Sequence, residues 1–276
     1  MLIYNSLFDK VTTDDLKRFY VYKGTMDQII DELKEELPAS SLIYNPTRLI
    51  KGLIDYKIQY PEKTIIFEII RYVLELTKEI YSIHTVQQFK LTNFRLMLIN
   101  NGLKDLLSFE VCQDEDAAAC LSSIGNLTQK TAQKIYKEAN GQNILLIPMA
   151  HGATAAGIDL LLRYSILSQN SFSAVYPCRF SIHKQKDTTP HLAPNEISYL
   201  KFQAKNKKIV VFEENIVTGV TLKQVTKYFN EHIFIDTPVI SVTNLDISEV
   251  AKTESGQVNH EAMLKKFLLQ YEDSVV

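Results

Sequence analysis

Two adjacent carboxylates, Glu213 and Glu214, end a run of four apolar residues, Ile209-Val210-Val211-Phe212. They are followed by Asn215-Ile216 and a small-residue loop, Val217-Thr218-Gly219-Val220-Thr221. The apolar run predicts a buried strand. The loop can aim successive backbone N–H groups and two threonine hydroxyls at one anion. A helix opening near Val220 adds the positive end of its dipole, so phosphate is the natural occupant. Carboxylates beside such a cradle repel a bare phosphate, and they suit a ligand that also presents sugar hydroxyls or a divalent cation. A second turn lies upstream, where the apolar residues 143–149 lead into Ala150-His151-Gly152-Ala153-Thr154. Its small residues let the backbone approach a ligand closely, and His151 reads equally as a ligand contact or as a surface histidine. The third segment, residues 179–194, carries Arg179, Lys184, Lys186, Pro190 and Pro194 without a helical period. It suits a cationic loop closing over an anionic centre, and equally a solvated hairpin loop.

The elements that position these groups alternate between strand and helix after Gly141. Strand candidates are residues 143–149, 172–177, 207–215 and 237–245, with helix-like stretches IDLLLRYSIL and VTLKQVTKYFNEH between them. That alternation predicts an α/β fold with a parallel sheet covered by helices, and ligands of such sheets bind outside the carboxyl ends of the strands. The first half reads as successive helices. Thr25 caps TMDQIIDELKEEL, whose Ile29, Ile30, Leu33 and Leu37 share a face and which Pro38 stops. Asn45-Pro46 reads as an N-cap with proline at the first helical position, opening a helix that ends near Pro61. Further helices are expected over residues 64–81, from Thr85 towards Gly102, over 114–123, and from Thr128 to Asn140-Gly141. The expected division is a separate all-α domain over 1–140 and an α/β domain over 141–276.

Composition narrows the classes of function. The chain has 276 residues, 46% of them apolar, with Lys+Arg 30 against Asp+Glu 32 and a net charge of −2. Near-neutral charge argues against a general nucleic-acid binder, which needs a concentrated positive field. No run of about 18–20 apolar residues reads as a membrane span, and no basic segment leads into an apolar one at the N-terminus, so a cytoplasmic protein is expected. Cys112, Cys120 and Cys178 form no C-x-x-C pair and read as reduced packing thiols.

The segment 209–221 resembles the PRPP-binding signature of the type I phosphoribosyltransferases: four apolar residues, two acids, two mostly apolar positions and a Thr/Ser/Gly-rich loop. The resemblance covers roughly residues 143–245 and implies a parallel-sheet phosphoribosyltransferase-like core. By resemblance, Glu213 and Glu214 contact the ribose hydroxyls, and Val217, Thr218, Gly219, Val220 and Thr221 hold the 5′-phosphate. Ala150, His151 and Gly152 form the pyrophosphate loop. Residues 179–194 are the flexible loop whose Lys184 or Lys186 assists the leaving pyrophosphate. The chain departs from the signature at Glu214, where the family usually has Asp, and at Asn215, where it is usually apolar.

The implied reaction is attack by an acceptor on the anomeric carbon of PRPP with release of pyrophosphate. Mg²⁺ accompanies the diphosphate, and no dedicated metal motif is expected because Mg²⁺ prefers phosphate oxygens and water. The acceptor is a small molecule such as a nucleobase. A typical 6-oxopurine is disfavoured, because Val217 stands where enzymes for those bases usually carry Asp. Asn244 and Asp246, after the last strand, read as base contacts or as turn chemistry, and HEAMLKKFLLQY near the C-terminus reads as an amphipathic packing helix. The alternative is a non-catalytic relative that binds PRPP or a nucleotide and regulates a protein partner through the helical half. That half could equally mediate a homodimer.

Overall fold

The computed structural model describes residues 4–12, 14–15, 21–113, 122–169, 172–182, 186–216 and 218–246. The sheet that matters for function is built from strands β3 (Ile144–Ala150), β4 (Ala174–Val175), β5 (Cys178–Arg179), β6 (Lys208–Ile216) and β7 (Val239–Asp246). All of its pairings are parallel, in the order β4-β3-β6-β7, with β5 continuing along β3 beyond β4. Every residue of β3 is buried, as are Ile209 to Phe212 of β6, as expected of strands covered on both faces. The predicted strand over 172–177 is realised only as the short β4, and β5 lies just beyond its predicted end. Pro177 lacks an N–H to donate, so pairing lapses there after Tyr176 N donates to Leu146 O at 3.0 Å.

Helix α6 (Gly152–Ser168) follows β3 directly and lies against the sheet. The close approach is set by Gly157: a Cβ there would lie 2.5 Å from Pro148 Cγ and 3.5 Å from the Phe212 ring. Helix α7 (Pro194–Gln203) leads into β6, and α8 (Val220–Tyr228) joins β6 to β7, passing into a π-helical turn at Phe229–Ile233. No element is expected from the sequence over residues 195–203, which with Pro194 form α7. Its apolar positions are too sparse to show a helical period, and its start is set by Pro194 and by Glu196, whose carboxylate accepts from Ala193 N at 2.7 Å.

The first half is mostly helical: α1 (Met26–Glu32), α2 (Ala39–Gln59), α3 (Ile66–Ile83), α4 (Gln88–Asn100) and α5 (Gly125–Glu138). Thr25 caps α1 through a capping box with Gln28, as expected, although the helix ends at Glu32 rather than reaching Leu37. The expectation of an all-α half is corrected by β1 (Tyr22–Thr25) and β2 (Glu110–Gln113), which pair antiparallel across almost ninety residues of sequence. Asn45-Pro46 does not open α2. The helix starts at Ala39 and carries Pro46 inside it, because residues 40–50 are buried on every side and burial outweighs the lost backbone bond. Two carbonyls near the break find side-chain donors: Tyr81 Oη to Ile43 O at 2.8 Å and Thr47 Oγ1 to Tyr44 O at 2.9 Å. The expected helix over 114–123 and the C-terminal segment after 246 lie almost wholly outside the described residues.

One apolar cluster runs through both halves, from Leu7 and Phe8 through Leu53 and Val73 to Ile144, Phe212 and Val242. Polar links cross the same boundary. Asp159, buried on α6, accepts from Ser6 Oγ at 2.6 Å, Tyr4 Oη at 2.7 Å and Arg163 Nε at 2.8 Å. Burial pushes its carboxyl pKa up, against the charge and hydrogen bonds of Arg163, Ser6 and Tyr4. No described helix is long and apolar enough to cross a membrane.

Candidate functional site

The chain leaves β3 for β4 on one side and leaves β6 for β7 on the other, so the direction of winding reverses between β3 and β6. Open parallel sheets leave a crevice at that point, outside the carboxyl ends of the strands. The residues at those ends are Ala150, His151 and Gly152 after β3, and Glu213 and Glu214 near the end of β6. The sheet register sets Pro148 opposite Phe212, so the two chains emerge side by side.

Alternation along β6 sends its two glutamates to opposite faces. Glu214 shares a face with Phe212, the one covered by α6. It is 8% exposed, and its carboxylate lies against Gly152: a Cβ on that glycine would fall 2.0 Å from Oε1 and 2.8 Å from Cδ. A carboxylate therefore occupies the first residue of a 17-residue helix, where the helix dipole favours an anion. Glu213 faces the other way and is partly buried, and burial pushes its carboxyl pKa up to about 7. It is thus poised to change charge near neutral pH, which is characteristic of functional carboxylates.

His151 caps the start of α6, after a cis peptide bond with Ala150. Its side chain is 12% exposed, and its Nε2 lies 2.9 Å from Asp55 Oδ1 on α2. Asp55 also pairs with Lys51, one turn earlier on the same helix. Burial works against ionisation of Asp55, but the hydrogen bonds and charges of His151 and Lys51 outweigh it and hold the carboxyl well below the usual range. Burial lowers the imidazole pKa; Asp55 opposes that, while the charges of Lys51 and Arg179 reinforce it. Arg179 ends β5 and pairs in register with Ala150, so the start of segment 179–194 brings a second cation, besides Lys51, to this turn.

The rest of that segment is held in place where it is described. Ser181 N donates to Asp187 Oδ2 at 2.7 Å, Asp187 Oδ1 lies 3.0 Å from His191 Nε2, and His191 N donates to Arg179 O at 3.0 Å. Lys57 of α2 then donates to His191 O at 3.1 Å and forms a buried pair with Glu196 at 2.7 Å, whose carboxylate also accepts from Tyr176 Oη. Lys186 is exposed, with φ 56°, and among the described residues its ammonium forms no ion pair with Glu213 or Glu214. Lys184 lies outside the described residues, as does Val217 of the loop after β6.

The remaining loop residues form the turn the sequence predicts. Gly219 takes φ 72°, a conformation that suits glycine, and its carbonyl accepts the first helical bond of α8, from Lys223 N at 3.0 Å. Thr218 and Val220 are exposed, while Gly219 and Thr221 are partly covered. Val220 N, the first amide of α8, donates to Thr218 Oγ1 at 3.5 Å, and the amides after it have no acceptor within the helix, the feature that lets a helix head take an anion. Asn215 is explained by Ser122, to whose Oγ its Nδ2 donates at 3.3 Å. Asn244 is not a turn residue. Within β7 it donates to Ser122 O and Thr128 Oγ1 and accepts from Thr131 Oγ1 at 2.7 Å, so it ties the strand to α5. Asp246 is the last residue of β7, opposite Ile216.

Sequence reasoning missed Lys51 and Asp55, which come from almost a hundred residues away. Their only sequence signal is an i,i+4 Lys–Asp pair, common on any exposed helix. A cavity of about 520 Å³ lined by Gln142, Asn143, Asn206, Lys207, Lys208 and Thr237 opens at the amino end of the sheet. That is the end away from the reversal point, and it gathers neither the glutamates nor the helix heads. Among the described residues, no group of three or more His, Cys, Asp or Glu side chains could hold a metal ion by itself. Cys178 is buried, and burial pushes its thiol pKa up; Cys112 is exposed rather than packed. No family model matches the chain, and no curated protein matches it.

Proposed function

We propose that the crevice between β3 and β6 binds phosphoribosyl diphosphate with Mg²⁺ and that the protein is a phosphoribosyltransferase. One observation carries the reading: the Glu214 carboxylate lies against Gly152 at the head of α6, with Glu213 beside it on the same strand end. The α6 head attracts the diphosphate, the α8 head and the loop from Thr218 attract the 5′-phosphate, and the two acids between them meet the ribose hydroxyls. A diphosphate brought to the α6 head meets Glu214 already there. Two anions share one helix end only with a cation between them.

Oxygen donors of this kind fit Mg²⁺, which is held by one or two carboxylates together with substrate phosphates and water. Glu214 and the diphosphate at the head of α6 are the groups that would hold it. When bound it neutralises the diphosphate and orients it as a leaving group. The chain's own residues do the rest: Glu213 and Glu214 fix the ribose, the turn at residues 150–152 cradles the diphosphate through its backbone, and Arg179 adds positive charge beside it. The acceptor is a small molecule, such as a nucleobase other than a typical 6-oxopurine.

A non-catalytic module that binds the same ligand and acts on a protein partner through the helical half is the second reading. It is favoured by the anchoring of residues 186–191 through Asp187, His191 and Lys57, which suits a fixed wall better than a closing lid.

The test is calorimetry with PRPP and Mg²⁺ on wild type and on the Glu213→Ala/Glu214→Ala variant, followed by pyrophosphate release with a panel of bases. Binding by wild type that the double variant loses is the expected result, and absence of binding by wild type refutes both readings. Pyrophosphate release supports the transferase; binding without release by any base supports the module.

A further inference from the structure

The helical half contributes to this site through Asp55. His151 Nε2 lies 2.9 Å from Asp55 Oδ1, a hydrogen bond from α2 to the turn after β3. With Asp55 ionised and the imidazole neutral, the ring proton belongs on Nε2, and Nδ1 is left as a bare acceptor. Nδ1 is buried and has no hydrogen-bond partner among the described residues. Three residues on, in the first turn of α6, Thr154 is 2% exposed and its Oγ1 is also buried without a partner. An unsatisfied buried polar atom costs about 1–3 kcal/mol. Two of them in one turn at a helix head point to a donor that the site is built to receive.

We propose that Asp55 is a positioning residue, which fixes His151 as the Nε2–H tautomer so that Nδ1 accepts a hydrogen bond from a metal-bound water of the Mg²⁺–diphosphate at the head of α6. The inference rests on the function proposed above. Diphosphate oxygens are acceptors and cannot serve Nδ1, so the donor must be something else that the ligand brings. Nδ1 is shut off from bulk solvent, so the donor must also be small. Mg²⁺ dehydrates reluctantly and keeps several waters, which the ion polarises into strong donors. The Thr154 hydroxyl, able to donate and accept, is the second buried group of the turn left to serve the same ligand. Partners that orient groups around a metal typically contribute about 10–100-fold to its affinity.

The groups facing the imidazole are Asp55 and Lys51 from α2 and Arg179 from β5. Nitrogen NMR of the ligand-free wild-type protein reads the tautomer without any variant. Nε2–H is expected, and Nδ1–H overturns the proposal. Calorimetry with Mg²⁺ and inorganic pyrophosphate then compares wild type with Asp55→Asn and with Asp55→Glu, each checked for an unchanged urea midpoint. Asp55→Asn is expected to weaken Mg²⁺–pyrophosphate at least about tenfold while binding of inorganic phosphate alone is unaffected, with Asp55→Glu recovering part of the loss. If wild type binds Mg²⁺–pyrophosphate and Asp55→Asn binds it equally well, the role of Asp55 is refuted while the function stands. If wild type binds neither Mg²⁺–pyrophosphate nor PRPP, both fall together. Should Asp55→Asn shift the urea midpoint, His151→Gln, which removes the acceptor and spares the Asp55–Lys51 pair, decides by the same titration.

Discussion

Replacing Glu213 by Gln is expected to make the protein more stable at alkaline pH while weakening its ligand. Burial raises the folded-state pKa of this carboxyl from 4.5 to about 7. Folding therefore favours the protonated form, and the folded state binds more protons than the unfolded one between those values. Stability contributed by the protonated group is complete below pH 4.5 and is lost as pH rises towards 7. The free energy involved is about 3 kcal/mol, at about 1.4 kcal/mol for each tenfold change in proton affinity. Glutamine is isosteric with the protonated acid and does not ionise. The variant should match wild type near pH 4.5 and exceed it by about 3 kcal/mol at pH 8, roughly 6–12 °C in melting temperature at this chain length. Urea denaturation at half-unit steps from pH 4.5 to 8 measures the difference directly. A stability difference that does not change with pH refutes the assignment of Glu213 as a carboxyl kept protonated by burial. The same substitution removes the charge on which a hydroxyl- or cation-bearing ligand depends, so PRPP affinity at pH 8 should fall as stability rises, a trade-off expected of active-site carboxylates.

Two further substitutions test the geometry around the site. Gly152→Ala places a methyl group 2.0 Å from Glu214 Oε1, so the carboxylate must swing away; because only the end of a flexible side chain moves, thermal stability should change by less than about 1 kcal/mol while PRPP affinity falls, as calorimetry would show. Lys57→Met strips the buried Glu196 carboxylate of its cation and should cost about 3–5 kcal/mol by urea denaturation, with Lys57→Met/Glu196→Gln recovering much of the loss.

Legibility from the sequence followed the range of the interaction. The strands β3, β6 and β7 and the helices α3 and α8 were readable because apolar runs and 3.6-residue spacing are local signals. The turn at Gly219 was readable for the same reason: a glycine among small residues between strand and helix marks a left-handed conformation in almost any fold. Where several signals competed, tertiary burial decided. Pro46 marks a helix start by its own chemistry, yet it lies eight residues inside α2 because the flanking residues are buried on all sides. Strands β1 and β2 were invisible because neither has a partner nearby in sequence, and β5 was missed because it is two residues long and follows Pro177, where the strand signal stops.

The candidate site shows the same division, with a consequence for how the two halves are understood. Glu213, Glu214 and residues 150–152 were found from local motif alone, since a strand end followed by a small-residue turn is a local pattern. Asp55, Lys51 and Lys57 could not be, because their meaning depends on α2 lying across the carboxyl end of the sheet. From two different faces that helix supplies the Asp55 carboxylate to His151 and the Lys57 ammonium to both Glu196 and the backbone of His191. The same helix thus fixes the turn after β3 and the segment after β5, two neighbouring walls on the β3 side of the reversal point. A change in the helical half that shifts α2 must therefore disturb both walls together, and the apolar cluster shared across residue 140 leaves little room for it to shift without them. The first half of the chain is on this geometry a structural component of the candidate site.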